Sequence, residues 1–353
     1  MSNNLKEPGK LLFANWSINL YKIPIEQLDH YIAVENFLTD EDELPFNAEN
    51  IEKVNHYLEA FHHLCEVEDW ERAKTVIMIK IGTLIDEELH IQLGTWGCFQ
   101  KQVDLCSRLL GKTDIATDSI CFNTLGLAYD SLSNYPQAIK YYEQDLIITR
   151  ELNDRRGEGI TLGNLGNAYF SLNLNSQALE FFEQALLIAQ KIKDRKDEGN
   201  ALGNLGNLYS AITNYAKAIE YHSQSLSIAQ EINDLKGEGK AFGCLGSAYR
   251  HQSNYSKALE CVQKYLEIAR KIEDQYAEAL DYLQAALNIV KETGQRSTEA
   301  IILYNLVEVY LKLGDRDMAQ ESCDKALVIA TELDLPDLEE YQELKEQLLS
   351  DKT

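Results

Sequence analysis

Proline is scarce in this chain, with 5 residues among 353. That scarcity leaves room for many uninterrupted helices, because an interior proline removes a backbone donor and clashes with the preceding turn. Positive charge is also in deficit: 33 lysines and arginines stand against 57 acidic residues, a formal net charge of -24. A surface so negative repels phosphate backbones and anionic lipid headgroups, so nucleic acid is not an expected partner. No run of about 18 apolar residues occurs, and no membrane insertion is expected. The opening segment, MSNNLKEPGKLLFANWSINLYKI, sets two lysines before a short apolar run. Asn15, Trp16 and Asn19 break that run and no small-residue cleavage site follows, so no secretory signal is expected.

The seven cysteines (Cys65, Cys98, Cys106, Cys121, Cys244, Cys261 and Cys323) form no CxxC pair. Several fall in apolar helical phase, so they read as small core residues in a reducing compartment, and a cytoplasmic location is expected. Catalytic signatures are missing too. There is no GxxxxGK[ST] phosphate loop and no GxSxG elbow. His56, Glu59 and His63 share one helical face, with His62 beside them, but not in the HExxH order, and they read as solvated side chains. Glu41 and Glu43 read as part of a solvated turn. No enzymatic activity, cofactor or metal is expected.

What the chain does contain is repetition. Glycines Gly126, Gly166, Gly206 and Gly246, tyrosines Tyr129, Tyr169, Tyr209 and Tyr249, and alanines Ala138, Ala178, Ala218 and Ala258 each advance by 40 residues. A period of this size signals a solenoid built from one supersecondary unit. Each unit divides into two helices. One spans about 158–171, with Leu162, Leu165, Ala168 and Tyr169 on one stripe; the second spans about 176–193, with Ala178, Phe181, Phe182, Ala185 and Ile188 apolar. Loops such as SNY or NLN offer an asparagine cap for the second helix, and DRKDEG or DLKGEG turns the chain back. Neither helix buries its stripe alone, so stacking must supply the core.

The anchor pattern of Leu162, Leu165-Gly166, Tyr169, Ala178, Phe182 and Ala185 resembles the tetratricopeptide repeat. The family's basic unit is shorter and often ends in proline. The longer unit here is similar to the Leu-Gly-Asn variant found in spindle-orientation adaptors, kinesin light chains and bacterial tandem-repeat proteins. The resemblance implies an all-α fold, a right-handed superhelical solenoid of helix-turn-helix repeats with helical caps. It divides the chain into a helical lead-in at 1–50, degenerate helix pairs at 51–116, four regular units at 117–272 and a phase-broken block at 273–353, with a capping helix at 336–350. The break arises because the alanine anchor after Ala258 comes at Ala279, only 21 residues on, so one first helix is missing. Ala258, Val262, Tyr265, Ala269, Ile272, Tyr276, Ala279, Leu283, Ala286 and Val290 keep one helical phase, which favours a single helix over about 255–291; a pair kinked near Gln275 is the alternative.

Two units carry the stretch GNLGN, at 163–167 and 203–207. Gly166 and Gly206 lie on the packed side, where a side chain would force the two helices of a unit apart. Asn164 and Asn167 continue Ile160 and Ser171 in helical steps, forming a stripe beside the packed one. The family resemblance places first helices on the concave side of the superhelix, with Asn204 and Asn207 stacked beside Asn164 and Asn167. Thr124 and Leu127, and Cys244 and Ser247, hold the matching positions in the flanking units. An amide offers a donor and an acceptor, suited to an extended peptide backbone. The expected ligand face therefore comprises Asn164, Asn167, Ser171, Asn200, Asn204, Asn207, Lys240, Ser247, Arg250 and His251. The function implied is a non-enzymatic scaffold or adaptor for a protein or peptide partner. The alternatives are a peptide-responsive switch of the bacterial sensor type and a stand-alone sensor module of a signalling NTPase system. The partner's identity and the oligomeric state are not written in the sequence.

Overall fold

The computed structural model describes residues 7–39, 50–81, 87–272, 276–292, 294–333, 335 and 338–350. Among them are eighteen α-helices and no strand, only an isolated antiparallel bridge between Lys80 and Glu88. The chain divides into two compact units, Met1–Ile188 and Ala189–Thr353.

The first unit opens with α1 (Glu7–Trp16), a 3-10 turn (Leu20–Lys22) and α2 (Ile25–Thr39). Four irregular helices follow: α3 (Asn50–Glu66), α4 (Trp70–Ile77), α5 (Leu89–Thr95) and α6 (Phe99–Leu109). Then come the regular helices α7 (Ile115–Ser131), α8 (Tyr135–Glu151) and α9 (Arg155–Ser171), and most of α10 (Asn175–Ile192). One continuous core runs through the early helices, from Tyr31, Val34 and Leu38 through Phe61 and Leu64 to Leu125 and Ala128.

The second unit continues with α11 (Arg195–Ala211), α12 (Tyr215–Glu231), α13 (Leu235–His251) and α14 (Tyr255–Ile272). It ends with α15 (Tyr276–Glu292), α16 (Arg296–Lys312), α17 (Arg316–Glu332) and α18 (Leu338–Ser350). Its core runs from Val262 and Tyr265 through Leu283, Leu303 and Val307 to Tyr341 and Leu348.

Aspartates start the first helices. Asp154, Asp194 and Asp234 accept from the backbone N–H groups of Gly157, Asp197 and Gly237 at 2.9, 3.0 and 3.1 Å. Each satisfies a donor that has no partner inside its helix. Asparagine caps of the second helices are less uniform. Asn214 and Asn254 accept from Lys217 and Lys257 N–H at 3.3 and 3.4 Å, Asn134 makes no such bond, and Asn175 is itself the first residue of α10.

The expected helix over 255–291 is two helices instead. α14 and α15 are separate elements that pack on one another; residues 273–275, including Gln275, lie outside the described residues. The shared phase has a physical origin all the same: Val262, Tyr265 and Ala269 of α14 and Ala279, Leu283, Ala286 and Val290 of α15 are buried in one core. A common apolar phase requires that both stripes be covered, and two helices folded onto a shared core cover them as well as one long helix does.

Candidate ligand-binding face

The packed side of each regular repeat is built by a ring seated on a glycine. A Cβ placed on Gly166 would come within 2.5 Å of the Phe182 ring, and one on Gly206 within 2.5 Å of the His222 imidazole. Gly126 would meet the Tyr142 ring in the same manner. In every case the ring lies sixteen residues downstream, on the second helix. Beside each notch the anchor tyrosine stacks on a second ring: Tyr129 on Tyr141, Tyr169 on Phe181 and Tyr209 on Tyr221, with centroids 5.5, 5.2 and 5.4 Å apart. The fourth repeat relaxes the rule. A Cβ on Gly246 would sit 3.4 Å from Cys261 Cβ, ordinary contact, and Tyr249 has Lys257 over its ring at 5.2 Å. Ala138, Ala178 and Ala218 are fully buried and Ala258 nearly so, as close helix approach requires.

This packing fixes which side of each first helix remains accessible. In the first unit, Leu162, Leu165 and Ala168 of α9 are buried, Asn164 and Asn167 are half-buried, and Ser171 is exposed. Ile160 on the same stripe is 38% exposed, and Leu127 of α7 is 44% exposed. Among the described residues no hydrogen-bond partner reaches the side chains of Asn164 or Asn167. A Cβ on Gly163 would find open space, so internal packing does not demand glycine there.

In the second unit, Asn204 and Asn207 are half-buried on α11 and Asn200 is exposed. Cys244 Sγ of α13 lies 3.5 Å from Asn207 Oδ1, so these two first helices bring their matching stripes together. Further along α13, Lys240 is exposed and Ser247 and Arg250 are half-buried. Arg250 donates from Nη2 to His251 Nε2 at 3.2 Å, which requires a neutral imidazole acceptor. Burial, and then the adjacent guanidinium, lower the His251 pKa in keeping with that. The His251 ring also stacks on Tyr215 of α12, with centroids 4.7 Å apart and planes 2° from parallel.

Of the residues expected from sequence, the structure brings Asn207 to α13 and joins Arg250 to His251. Asn164 and Asn167 belong to one compact unit and Asn204 and Asn207 to the other, and each pair takes its place within its own unit. Tyr215 was not anticipated; a tyrosine at the start of a second helix is four residues outside the first-helix stripe that ends at Ala211. A buried polar knot was not anticipated either. Asp145 on α8 accepts from Ser119 and Asn123 of α7 and from Thr161 Oγ1 of α9, the last at 2.5 Å. Burial raises the Asp145 pKa although these three donors oppose it. Its only sequence signal is an aspartate where other repeats have Ala185 and Ser225.

An all-α chain of consecutive packed helix pairs, with glycine-seated rings at a fixed period, defines a helical-repeat protein. Family models described as tetratricopeptide repeat match residues 120–191, 157–231 and 197–271, and again 300–331. These segments together span more than half of the chain, which belongs to the tetratricopeptide repeat family. No curated protein matches the chain. Among solved structures, it is similar to a signal transduction ATPase with numerous domains that carries a tetratricopeptide repeat sensor, from Pyrococcus horikoshii. That match has 18% identity and a TM-score of 0.51, covering 97% of this chain and 65% of the other. It is also similar to aspartyl phosphate phosphatase F from Bacillus subtilis, at 14% identity and TM-score 0.51, covering 93% and 94%. A Rap protein complexed with competence and sporulation factor matches at 15% identity and TM-score 0.50, covering 93% and 99%. Likeness at these identities concerns the fold. No helix among the described residues is long and apolar enough to cross a membrane, and no group of three or more His, Cys, Asp or Glu among them is poised to hold a metal.

Proposed function

We propose that this chain is a non-enzymatic interaction scaffold that takes an extended segment of a protein partner on the accessible stripes of its first helices. One observation carries the reading: each unit presents half-buried amides with no described partner, Asn164 and Asn167 in one and Asn204 in the other, on first-helix faces that packing leaves open. Half-buried amides with spare donors and acceptors are matched by a peptide backbone, which alternates the same two groups. Exposed Ile160 and Leu127 nearby supply apolar area for side chains of such a segment. Within the second unit, α13 adds the cations Lys240 and Arg250, which would favour acidic side chains there.

The test is the quadruple substitution Asn164→Ala, Asn167→Ala, Asn204→Ala and Asn207→Ala, titrated calorimetrically against a partner identified with the unmodified chain. Each hydrogen bond lost from a complex costs about 0.5–1.5 kcal/mol net, so the four together should weaken binding by roughly 2–6 kcal/mol, neighbours being non-additive. The free protein should keep or gain thermal stability, because alanine is the better helix former. Unchanged affinity would move the function to another face.

A further inference from the structure

Three imidazoles near the start of the chain take no part in the face described above. His30 lies on α2, and His62 and His63 lie on α3. The Nδ1 atoms of His30 and His63 are 3.0 Å apart, with ring centroids 5.2 Å apart at 61°. Phe37, also on α2, stacks on His63 at 5.8 Å and 20°. His63 thus meets α2 twice, by a hydrogen bond and by a ring stack.

A contact between two Nδ1 atoms holds one proton. One ring must donate and the other must accept, so the neutral pair and the singly protonated pair both keep the bond. A second proton leaves two N–H groups facing each other on two cations. Charges around the pair act both ways: His62 opposes protonation of His63, and Glu59 and Glu66 favour it. On α3, His62 lies with its ring centroid 5.4 Å from that of His63, and Glu59 and Glu66 bear on His63 from the same helix. From α6, Arg108 donates to His62 Nδ1 at 3.0 Å and pairs with Glu66 at 3.0 Å. At the start of α4, Asp69 accepts from Tyr31 of α2 at 2.7 Å and pairs with Arg72. Each of the carboxylates Glu66 and Asp69 thus already has a cation of its own.

We propose that the His30–His63 pair is an acid-released clasp, which fastens α2 to α3 at neutral pH and lets α2 open when both rings are protonated. Burial first, then His30 and His62, lower the His63 pKa. The open form therefore binds protons more readily than the closed one. The stabilisation is complete above the ordinary histidine pKa of about 6.5 and is lost as pH falls through it toward the lowered value. Opening would uncover Tyr31, Val34 and Leu38, which α2 buries in the core of the first unit.

Hydrogen–deuterium exchange on the full chain, corrected for the pH dependence of intrinsic exchange, tests this. Peptides over Ile25–Thr39 should lose about tenfold or more of their protection between about pH 7 and pH 5. Peptides over α9, which has no histidine, should hold theirs over the same interval. His30→Phe keeps a ring on α2 but removes one imidazole of the pair, and should shrink the pH response of α2 to the part that burial of His63 sets. Imidazole nitrogen NMR of the unmodified chain gives a readout independent of any variant's folding. It should show one Nδ1–H shared by His30 and His63 and a His63 titration displaced below the ordinary value. A His63 titration at the ordinary value, pH-insensitive protection of α2, or the same pH response in His30→Phe would each overturn the clasp.

Discussion

Phe182 and His222 occupy the same place in successive repeats, sixteen residues after an anchor glycine, and both are almost fully buried. Beside each, the neighbouring ring stacks on the anchor tyrosine in the same way. One site is satisfied by hydrocarbon alone. The other encloses an imidazole whose Nε2 has no hydrogen-bond partner among the described residues. The glycine notch therefore selects for a flat ring, and shape outranks polarity there. The cost of the imidazole is deferred to acid: burial, then Lys240, lower the His222 pKa from 6.5 to about 4.

The largest expected effect separates these two repeats by pH. The folded second unit keeps His222 neutral, whereas the unfolded chain protonates it at the ordinary pKa. The unfolded state thus binds more protons between the two values, and stability must fall as pH drops from about 6.5 to about 4. The full shift corresponds to about 3 kcal/mol. His222→Phe, which restores the ring found at Phe182, should flatten that part of the stability curve, measured by urea unfolding at a series of pH values. A parallel acid loss in the variant would assign the effect to other groups.

Next in size, Gly166→Leu and Gly206→Leu should each destabilise by roughly 1–3 kcal/mol, because the new side chain must displace a ring on the facing helix. Thermal melts equal to the parent's would show that the rings can move aside. The fourth repeat gives the contrast. Gly246→Ala should be neutral or stabilising by up to about 1 kcal/mol, since alanine is the better helix former and its Cβ meets only ordinary contacts. The smallest effect concerns a turn. Thr213 is β-branched yet has φ 61°, so Thr213→Gly should gain about 1 kcal/mol at most by relieving the left-handed strain.

Much of the accessible face was legible in the sequence, because the helical period of about 3.6 places Ile160, Asn164, Asn167 and Ser171 on one stripe whatever the neighbours do. Its partners were less so. The Tyr215–His251 stack joins residues 36 positions apart on different helices, and only packing decides such a meeting. The helical spacing puts His63 on a solvated face with His56 and Glu59, but His63 engages His30 of α2, while His56 is buried against Tyr57 with ring centroids 4.0 Å apart. One helix's periodicity says which residues share a face but not what another helix brings to it.

The amino-acid sequence by itself determined the repeat, its helical character and the family, since small and apolar anchors recurring every 40 residues demand stacked helices to bury them. The structure adds a finer period. Left-handed residues recur every 20 positions, at Ser133, Asn153, Asn173, Lys193, Thr213, Asn233 and Ser253, so each helix and its turn is half of a repeat. No one residue type marks those positions; each follows a helix cap, and the next N–H bonds back into the last turn, as Asn134 N–H does to the Tyr129 carbonyl at 2.8 Å, so the local geometry of helix termination sets the backbone there. The division at α14 and α15 is what the tertiary structure decided: an apolar phase states that a stripe must be buried, and only the shared core of the second unit settles how many helices it takes to bury it.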